Sequence, residues 1–172
     1  MPEYTALEIF DFDWTMFRSP FPPEGKPYKS WWASGESLSP PYVPLRATRD
    51  FWIEEVVREA KASQRRPSIL TIVLTARRAK AAPRIHELLE QRDIEPQMFL
   101  CRSATFQKDR SATLFKRKSV VKILDEHPEI KKVVVWEDTQ DQLNGIGELV
   151  KKRRLSFEGN LVTDPEYKGE RR

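Results

Sequence analysis

Two aspartates that stand two residues apart are the first feature of the chain that suggests chemistry. Asp11 and Asp13 follow an apolar run that ends at Phe10, and such runs are typical of buried strands. The first carboxylate then lies at the end of the strand and the second in the loop beyond it, so both reach the crevice at the carboxyl edge of an α/β sheet. Adjacent buried carboxylates need a cation between them. The pair therefore predicts a Mg²⁺ site with oxygen ligands or, alternatively, two solvated acids at a turn.

Polar residues also follow later apolar runs. Thr75 comes directly after one run, and Glu137 and Asp138 come directly after another. Lys116 lies in a basic stretch before a further apolar pattern. Because strand-like runs alternate with helix-like periodicity, the sequence predicts an α/β fold, a three-layer, doubly wound, Rossmann-like parallel sheet. In such a sheet these residues and the two aspartates are expected to meet at one edge.

The predicted elements follow from apolar periodicity and from the residues that interrupt it. Strands are predicted at residues 5–12, 68–74, 97–101, 133–136 and 154–162, the last as a strand or a hairpin. Helices are predicted at residues 48–62, from 82 onward, between 119 and 127, and at 139–152. The polar tail 163–172 is expected to be loosely held.

A long connection at about residues 18–47 separates the first predicted strand from the first predicted helix. Its seven prolines exclude most regular helix, and aromatic residues are frequent in it. A loop of this length inside a small domain is uncommon unless it is functional. The connection is interpreted either as a substrate-facing flap with stacking surfaces or as a loop pinned to the core by its own aromatic side chains.

The composition limits the class of protein. The chain has 172 residues, of which 39% are hydrophobic and 33% charged, which is typical of one soluble globular domain over residues 1–172. No apolar run approaches the length of a membrane helix, and the N-terminus lacks a signal pattern. Cys101 is the only cysteine, which favours a reducing, intracellular (cytoplasmic or nuclear) location. The net charge of +4 favours anionic partners, although a basic excess would also serve solubility alone, and a monomer is expected.

The motifs at the strand ends resemble those of the haloacid dehalogenase (HAD) superfamily of phosphohydrolases. The segment Asp11 to Thr15 matches the DxDxT signature of that superfamily, and Thr75 matches the second motif. Lys116 is the best candidate for the third motif, although Lys118 and Lys122 compete with it. The acidic fourth motif corresponds to Glu137-Asp138. The resemblance extends over about residues 6–145.

Within the superfamily, the sequences of these motifs are most similar to those of the Swiss Army Knife RNA-repair-like group. Members of that group share a phenylalanine and a proline soon after the first motif, a tryptophan-bearing connection, a Thr-x-Phe-Lys before a helix, and Glu-Asp after the fourth strand. The corresponding residues here are Phe17, Pro20, Trp31, Trp32, Thr113 to Lys116, and Glu137-Asp138.

The resemblance implies a phosphatase mechanism. Asp11 would attack phosphorus and form an aspartyl-phosphate, and Asp13 would act as the general acid and base. Thr75 would bind a phosphoryl oxygen, and Lys116 would neutralise the nucleophile and the transferred group.

The same resemblance implies a Mg²⁺ cofactor. The ion would be held by Asp11, the backbone carbonyl of Asp13, and Asp138. Either Glu137 or Asp141 would serve as the second acid of the fourth motif.

Several residues are expected to contact the substrate. Trp14 occupies a position where glycine is commonest in the signature, and it is expected to point towards the flap or the substrate together with Thr15. Arg77, Arg78 and Arg110 are predicted near the catalytic edge, where they would follow a phosphodiester backbone. Those charges would also suit an ordinary solvated surface.

The flap is too short to be a large cap, so the site is expected to be open to a phosphate at the end of a large molecule. Together with the basic residues and the flap aromatics, this favours a phosphatase acting on nucleic-acid ends. The alternatives are a phosphatase for small phosphoesters or phosphoproteins, and a non-catalytic binding module in an RNA-processing assembly.

Overall fold

A computed structural model describes residues 3–103 and 111–167 of the chain. Its five strands form one sheet in the order β3-β2-β1-β4-β5, and every neighbouring pair is parallel. The strands are β1 (Ala6–Phe10), β2 (Ile69–Arg78), β3 (Met98–Arg102), β4 (Lys132–Glu137) and β5 (Ser156–Leu161). The predicted parallel, doubly wound α/β sheet is therefore confirmed.

Helices cover both faces of the sheet. They are α1 (Tyr28–Ala33), α2 (Glu54–Gln64), α3 (Ala82–Glu90), α4 (Ala112–Glu126) and α5 (Gln140–Lys152), with short 3₁₀ turns at Glu36–Leu38, Arg49–Phe51 and Ala79–Ala81. Apolar residues of α2 and α3 share one buried cluster with Phe10 of β1. Those of α4 and α5 share the other cluster with Leu7 and Ile9, because successive side chains of a strand point to opposite faces.

The first predicted long helix begins later than its apolar pattern suggested. The prediction of a helix at 48–62 is wrong at its start, since a 3₁₀ turn ends at Phe51 and α2 begins at Glu54. Trp52 lies between them, only 1% exposed and packed edge-on against Phe17 with 4.9 Å between ring centroids. Burial of this indole against the first loop, where Phe17 and Trp52 also form an isolated β-bridge, overrides the local helical periodicity.

Lys116 belongs to a helix and not to the polar loop predicted for it. Helix α4 begins at Ala112, after Ser111 caps it by accepting a hydrogen bond from the backbone N–H of Leu114. The basic residues 116–118 were expected in a loop because they are charged, but lysine and arginine are good helix formers. The helix consequently orients the Lys116 side chain rigidly.

The flap at residues 18–47 is ordered by contacts with the domain. It contains the short helix α1, which follows Pro27, although regular helix was expected to be largely excluded. Arg84 of α3, which is 8% exposed, donates hydrogen bonds to the flap carbonyls of Leu38, Pro44 and Leu45 at 2.8, 2.9 and 3.1 Å. These contacts favour the interpretation of a pinned loop for the outer part of the flap.

The beginning of the C-terminal tail is also attached. Asp164 is 9% exposed and forms an ion pair with Arg18 at 2.9 Å. The ring of Tyr167 lies 5.0 Å from Trp14 and 5.3 Å from Phe21. The expectation of a loosely held tail is therefore wrong for residues 163–167, while residues 168–172 lie outside the described part of the chain.

Among the described residues, no helix is long and apolar enough to cross a membrane. The single-domain extent over residues 1–172, the monomeric state and the intracellular location stay predictions from the sequence.

Candidate active site

Asp11 lies at the carboxyl end of β1, at the floor of a pocket. Its backbone N–H donates to the carbonyl of Trp136, so the strand pairing continues up to this residue. Its side chain is nearly buried, and both carboxylate oxygens have partners. Oδ1 accepts a hydrogen bond from Lys116 Nζ at 2.8 Å, and Oδ2 accepts one from Thr15 Oγ1 at 3.1 Å. The carboxylate is thus held in one orientation by groups from two elements.

Lys116 bridges Asp11 and Glu137. The lysine is 2% exposed, and its Nζ lies 2.8 Å from Asp11 and 2.6 Å from Glu137 Oε2. The other oxygen of Glu137 accepts hydrogen bonds from the backbone N–H groups of Asp138 and Thr139. Glu137 therefore positions the lysine and the turn after β4.

The two competing lysines have other surroundings. Lys118 is exposed. Lys122 is exposed as well and reaches Glu126 on its own helix at 3.9 Å. Of the three lysines considered from the sequence, the structure brings Lys116 to Asp11.

Three carboxyl groups crowd together in this region. Oxygen atoms of Asp11, Glu137 and Asp138 lie within 4.8 Å of one another. Burial, followed by the charges of Asp11 and Glu137, raises the pKa of Asp138 to about 9. Burial, followed by the charge of Glu137, raises the pKa of Asp11 to about 7. Burial alone would lower the pKa of Lys116, but the attraction of Asp11 and Glu137 outweighs it and raises the pKa.

These side chains suit a divalent cation. Lys116 contacts two of the three carboxyl groups, Asp11 and Glu137, and carboxylate oxygens are the ligands that Mg²⁺ prefers. Both oxygens of Glu137 already accept hydrogen bonds, which leaves Asp11 and Asp138 as the acids better suited to hold an ion. Asp141, the other acid considered for the fourth motif, is exposed in the first turn of α5 and lines the same pocket.

Asp13 makes a bidentate ion pair with Arg77. Nε of the arginine lies 2.9 Å from each carboxylate oxygen, and Nη2 lies 2.8 Å from Oδ1. Ser19 also donates a hydrogen bond to Asp13. The remaining nitrogen of Arg77 donates to Ser37 Oγ at 2.7 Å and to the carbonyl of Ser34 at 3.1 Å. Arg77 thus links the candidate acid–base residue to the flap.

Sequence reasoning placed Arg77 at the substrate and missed this contact with Asp13. The arginine is 3% exposed, and its guanidinium lies 5.2 Å from the centre of the Trp32 ring. Its position two residues after Thr75 on the same strand predicts that the two side chains share one face, but it does not identify Asp13 as the partner.

The other residues expected at the substrate occupy different depths. Thr75 is fully buried, and its Oγ1 accepts a hydrogen bond from the backbone N–H of Arg77 at 3.2 Å. Thr15 is also fully buried, behind Asp11. Arg78 is exposed at the end of β2. Arg110 lies outside the described residues. Contacts of these residues with a substrate stay predictions.

A pocket of about 680 Å³ opens above Asp11. One side of it is formed by five aromatic residues, here called the aromatic wall: Trp14, Phe21, Tyr28, Trp32 and Tyr167. Trp14 is 8% exposed and stacks on Phe21 with 5.3 Å between ring centroids. Its ring therefore lies against the flap, at the side of the pocket.

HAD domains of known structure share this fold. The HAD domain of the effector protein Lem4 from Legionella pneumophila has a TM-score of 0.59 and 16% identity, covering 96% of this chain and 89% of that one. A chain in the Pnkp1/Rnl/Hen1 complex has a TM-score of 0.61 and 12% identity, covering 95% of this chain and 48% of that one. A structure of the Pnkp1/Rnl/Hen1 RNA repair complex gives 0.60 and 13%, with 95% and 44% covered. The chain is therefore a HAD-like domain by fold.

Within that class, the chain belongs to HAD domain family 1 in Swiss Army Knife RNA repair proteins, whose family model matches residues 23–166. The resemblance stated from the motifs is thereby confirmed. The chain spans less than half of the length of the chains it matches in the Pnkp1/Rnl/Hen1 structures. No curated protein sequence matches it.

Proposed function

We propose that this domain is a Mg²⁺-dependent phosphohydrolase that forms an aspartyl-phosphate and removes terminal phosphates from nucleic acid. The observation that carries the proposal is the Asp11 carboxylate, which is held by Lys116 and Thr15 at the floor of an open pocket with Asp138 beside it. A family of RNA repair proteins, and an RNA repair complex among the structural neighbours, support nucleic acid as the substrate.

In the first step, an oxygen of Asp11 attacks phosphorus, and the bond from phosphorus to the leaving oxygen breaks. Lys116 offsets negative charge at the nucleophile and at the transferred group. Asp13 gives a proton to the leaving oxygen and later removes one from the water that hydrolyses the aspartyl-phosphate. Asp11, Asp138 and the backbone carbonyl of Asp13 would hold Mg²⁺, which would supply further charge neutralisation when bound.

Arg77 constrains this cycle because its guanidinium contacts both carboxylate oxygens of Asp13. Asp13 must give up one of these contacts before that oxygen can reach a leaving group. Its side chain is 22% exposed, so water in the pocket reaches it. Exchange at Asp13 therefore belongs to the first step of the proposed cycle.

Hydrolysis of three phosphoesters tests the function. A 3′-phosphorylated oligonucleotide, a 5′-phosphorylated one and a small generic phosphoester are compared with and without Mg²⁺, with Asp11→Asn as the inactive control. We expect Mg²⁺-dependent phosphate release that is fastest from one oligonucleotide end and absent in Asp11→Asn. Equal rates on all three would remove the case for nucleic acid, and no release from any of them would favour a non-catalytic binding module.

Asp13→Asn is expected to discriminate between leaving groups. The variant lacks the proton donor, so we expect turnover of an alkyl phosphate to fall about 10²–10⁴-fold. Turnover of an aryl phosphate with an acidic phenol should fall much less, because that leaving group departs without a proton. Steady-state rates on the two substrates provide the measurement. An equal loss on both would contradict the general-acid role.

A further inference from the structure

We propose that the aromatic wall is a subsite for the base of a phosphorylated nucleotide. The domain would then recognise the terminal nucleoside by stacking and not the phosphodiester backbone by charge. The inference rests on the proposed function for the position of the phosphate, and it adds the part of the substrate that determines affinity.

The aromatic wall is assembled from three distant parts of the chain. Trp14 comes from the loop after β1, Tyr28 and Trp32 from α1 in the flap, and Tyr167 from the tail. Tyr28 packs edge-on against Trp32 with 5.9 Å between ring centroids, yet it is 57% exposed. Tyr28 thus adds an accessible ring to an aromatic pocket lining, and such lining is typical of ligand sites.

Two polar atoms of the aromatic wall lack a partner. The indole N–H groups of Trp14 and Trp32 are buried, and no acceptor contacts them among residues 3–103 and 111–167. A buried donor without an acceptor is unfavourable. Both N–H groups are closed to solvent in this structure, so a base would reach them only after the rings shift, and stacking is the contact that the aromatic wall offers directly.

The backbone at Trp14 supports the same conclusion. Its φ angle is +57°, in the left-handed region that a bulky residue adopts only at an energetic cost. A glycine there would avoid that cost. Retained strain next to reacting groups is typical of functional sites. The conformation places an indole at the pocket, beside Asp13.

The charges of the pocket disfavour recognition of the backbone. Lys116 and Arg77 are the cations among its described lining residues, and both are held in ion pairs. Four aspartates line the same pocket: Asp11, Asp13, Asp138 and Asp141. Among these described lining residues a polyanion finds no unpaired cation, whereas stacking on a π-face requires none. The pocket volume of about 680 Å³ lies in the range that suits a nucleotide-sized ligand.

The test compares substrates that differ in the base alone. An oligonucleotide with a terminal phosphate is offered with a normal or an abasic last nucleotide, beside the corresponding free mononucleotide and ribose 5-phosphate. We expect KM to be at least about fivefold lower when the base is present. The oligonucleotide and mononucleotide arms then distinguish a polynucleotide end from a free nucleotide as its source.

Tyr28 provides the variant, since it is exposed and its removal leaves the core intact. Tyr28→Ala is expected to raise KM for base-bearing substrates at least about fivefold and to leave KM for the abasic ones unchanged. Tyr28→Phe should remain close to the wild type. Tyr42→Ala is the matched control, because Tyr42 lies in the same flap but packs on Trp31 away from the pocket.

Binding of the mononucleotide and of ribose 5-phosphate to the Asp11→Asn variant, measured by tryptophan fluorescence, separates this inference from the proposed function. Quenching by the mononucleotide but not by ribose 5-phosphate would support the subsite even if no phosphoester is hydrolysed. Equal KM values with and without the base, and no selective quenching, would overturn it while leaving the phosphatase in place. Tighter binding of a phosphotyrosine peptide than of any nucleotide would also overturn it.

Discussion

Replacing Lys116 with methionine is expected to abolish turnover and to lower the free energy of unfolding by about 3–5 kcal/mol at pH 8. The side chain is buried between the carboxylates of Asp11 and Glu137, at 2.8 and 2.6 Å. Its removal leaves two buried acids facing each other without a cation, and burial of unpaired charges is costly. Denaturant unfolding followed by circular dichroism, together with phosphate release, provides the measurement.

Two controls separate charge from packing. Lys122→Met changes a lysine of the same helix whose side chain is 77% exposed and should alter stability by less than about 0.5 kcal/mol. Combining Lys116→Met with Glu137→Gln removes one of the facing charges, so the double variant should regain part of the stability but no activity. A Lys116→Met protein as stable and as active as Lys122→Met would show that Lys116 has no role at Asp11.

Much of the fold could be predicted because its signals are local. The apolar run Val133 to Trp136 predicts a buried strand from its own residues alone. The alternation of such runs with amphipathic helices is compatible with few topologies other than a parallel sheet. The errors arise where distant contacts override local preference. Trp52 is not helical because it is buried against Phe17, and no feature of the surrounding sequence predicts that contact.

The candidate site divides in the same way. Asp11 and Asp138 could be placed because each directly follows a strand, and all strands of a parallel sheet end at one edge. The partner of Asp13 could not, because Arg77 is oriented by Ser34 and Ser37 of the flap. A charged residue beside a phosphatase motif suggests substrate contact, and the flap contacts that turn it towards Asp13 depend on the tertiary fold.

The affinity for Mg²⁺ is expected to rise by about 10⁴-fold between pH 6 and pH 9. An ion would require Asp11 and Asp138 as carboxylates, and their pKa values are raised to about 7 and about 9. Below pH 7 both protons must leave, so affinity rises about 100-fold per pH unit. Between pH 7 and pH 9 one proton leaves, and the rise is about tenfold per unit. Titration calorimetry at several pH values measures both slopes.

Stability of the metal-free protein should follow the opposite course. In the folded protein the pKa values of both acids lie above the ordinary value of 3.8. Between pH 3.8 and about 9, the folded protein therefore binds more protons than the unfolded chain does. The free energy of unfolding therefore falls as the pH rises towards 9. The stabilisation by Mg²⁺ should be largest at the alkaline end of this range, where Mg²⁺ binds most tightly. Asp138→Asn removes the group with the higher pKa and one charge facing Asp11, so it should abolish the decline between pH 7 and pH 9. A decline that persists in Asp138→Asn, or a Mg²⁺ affinity independent of pH, would contradict the assignment of these two acids as ligands.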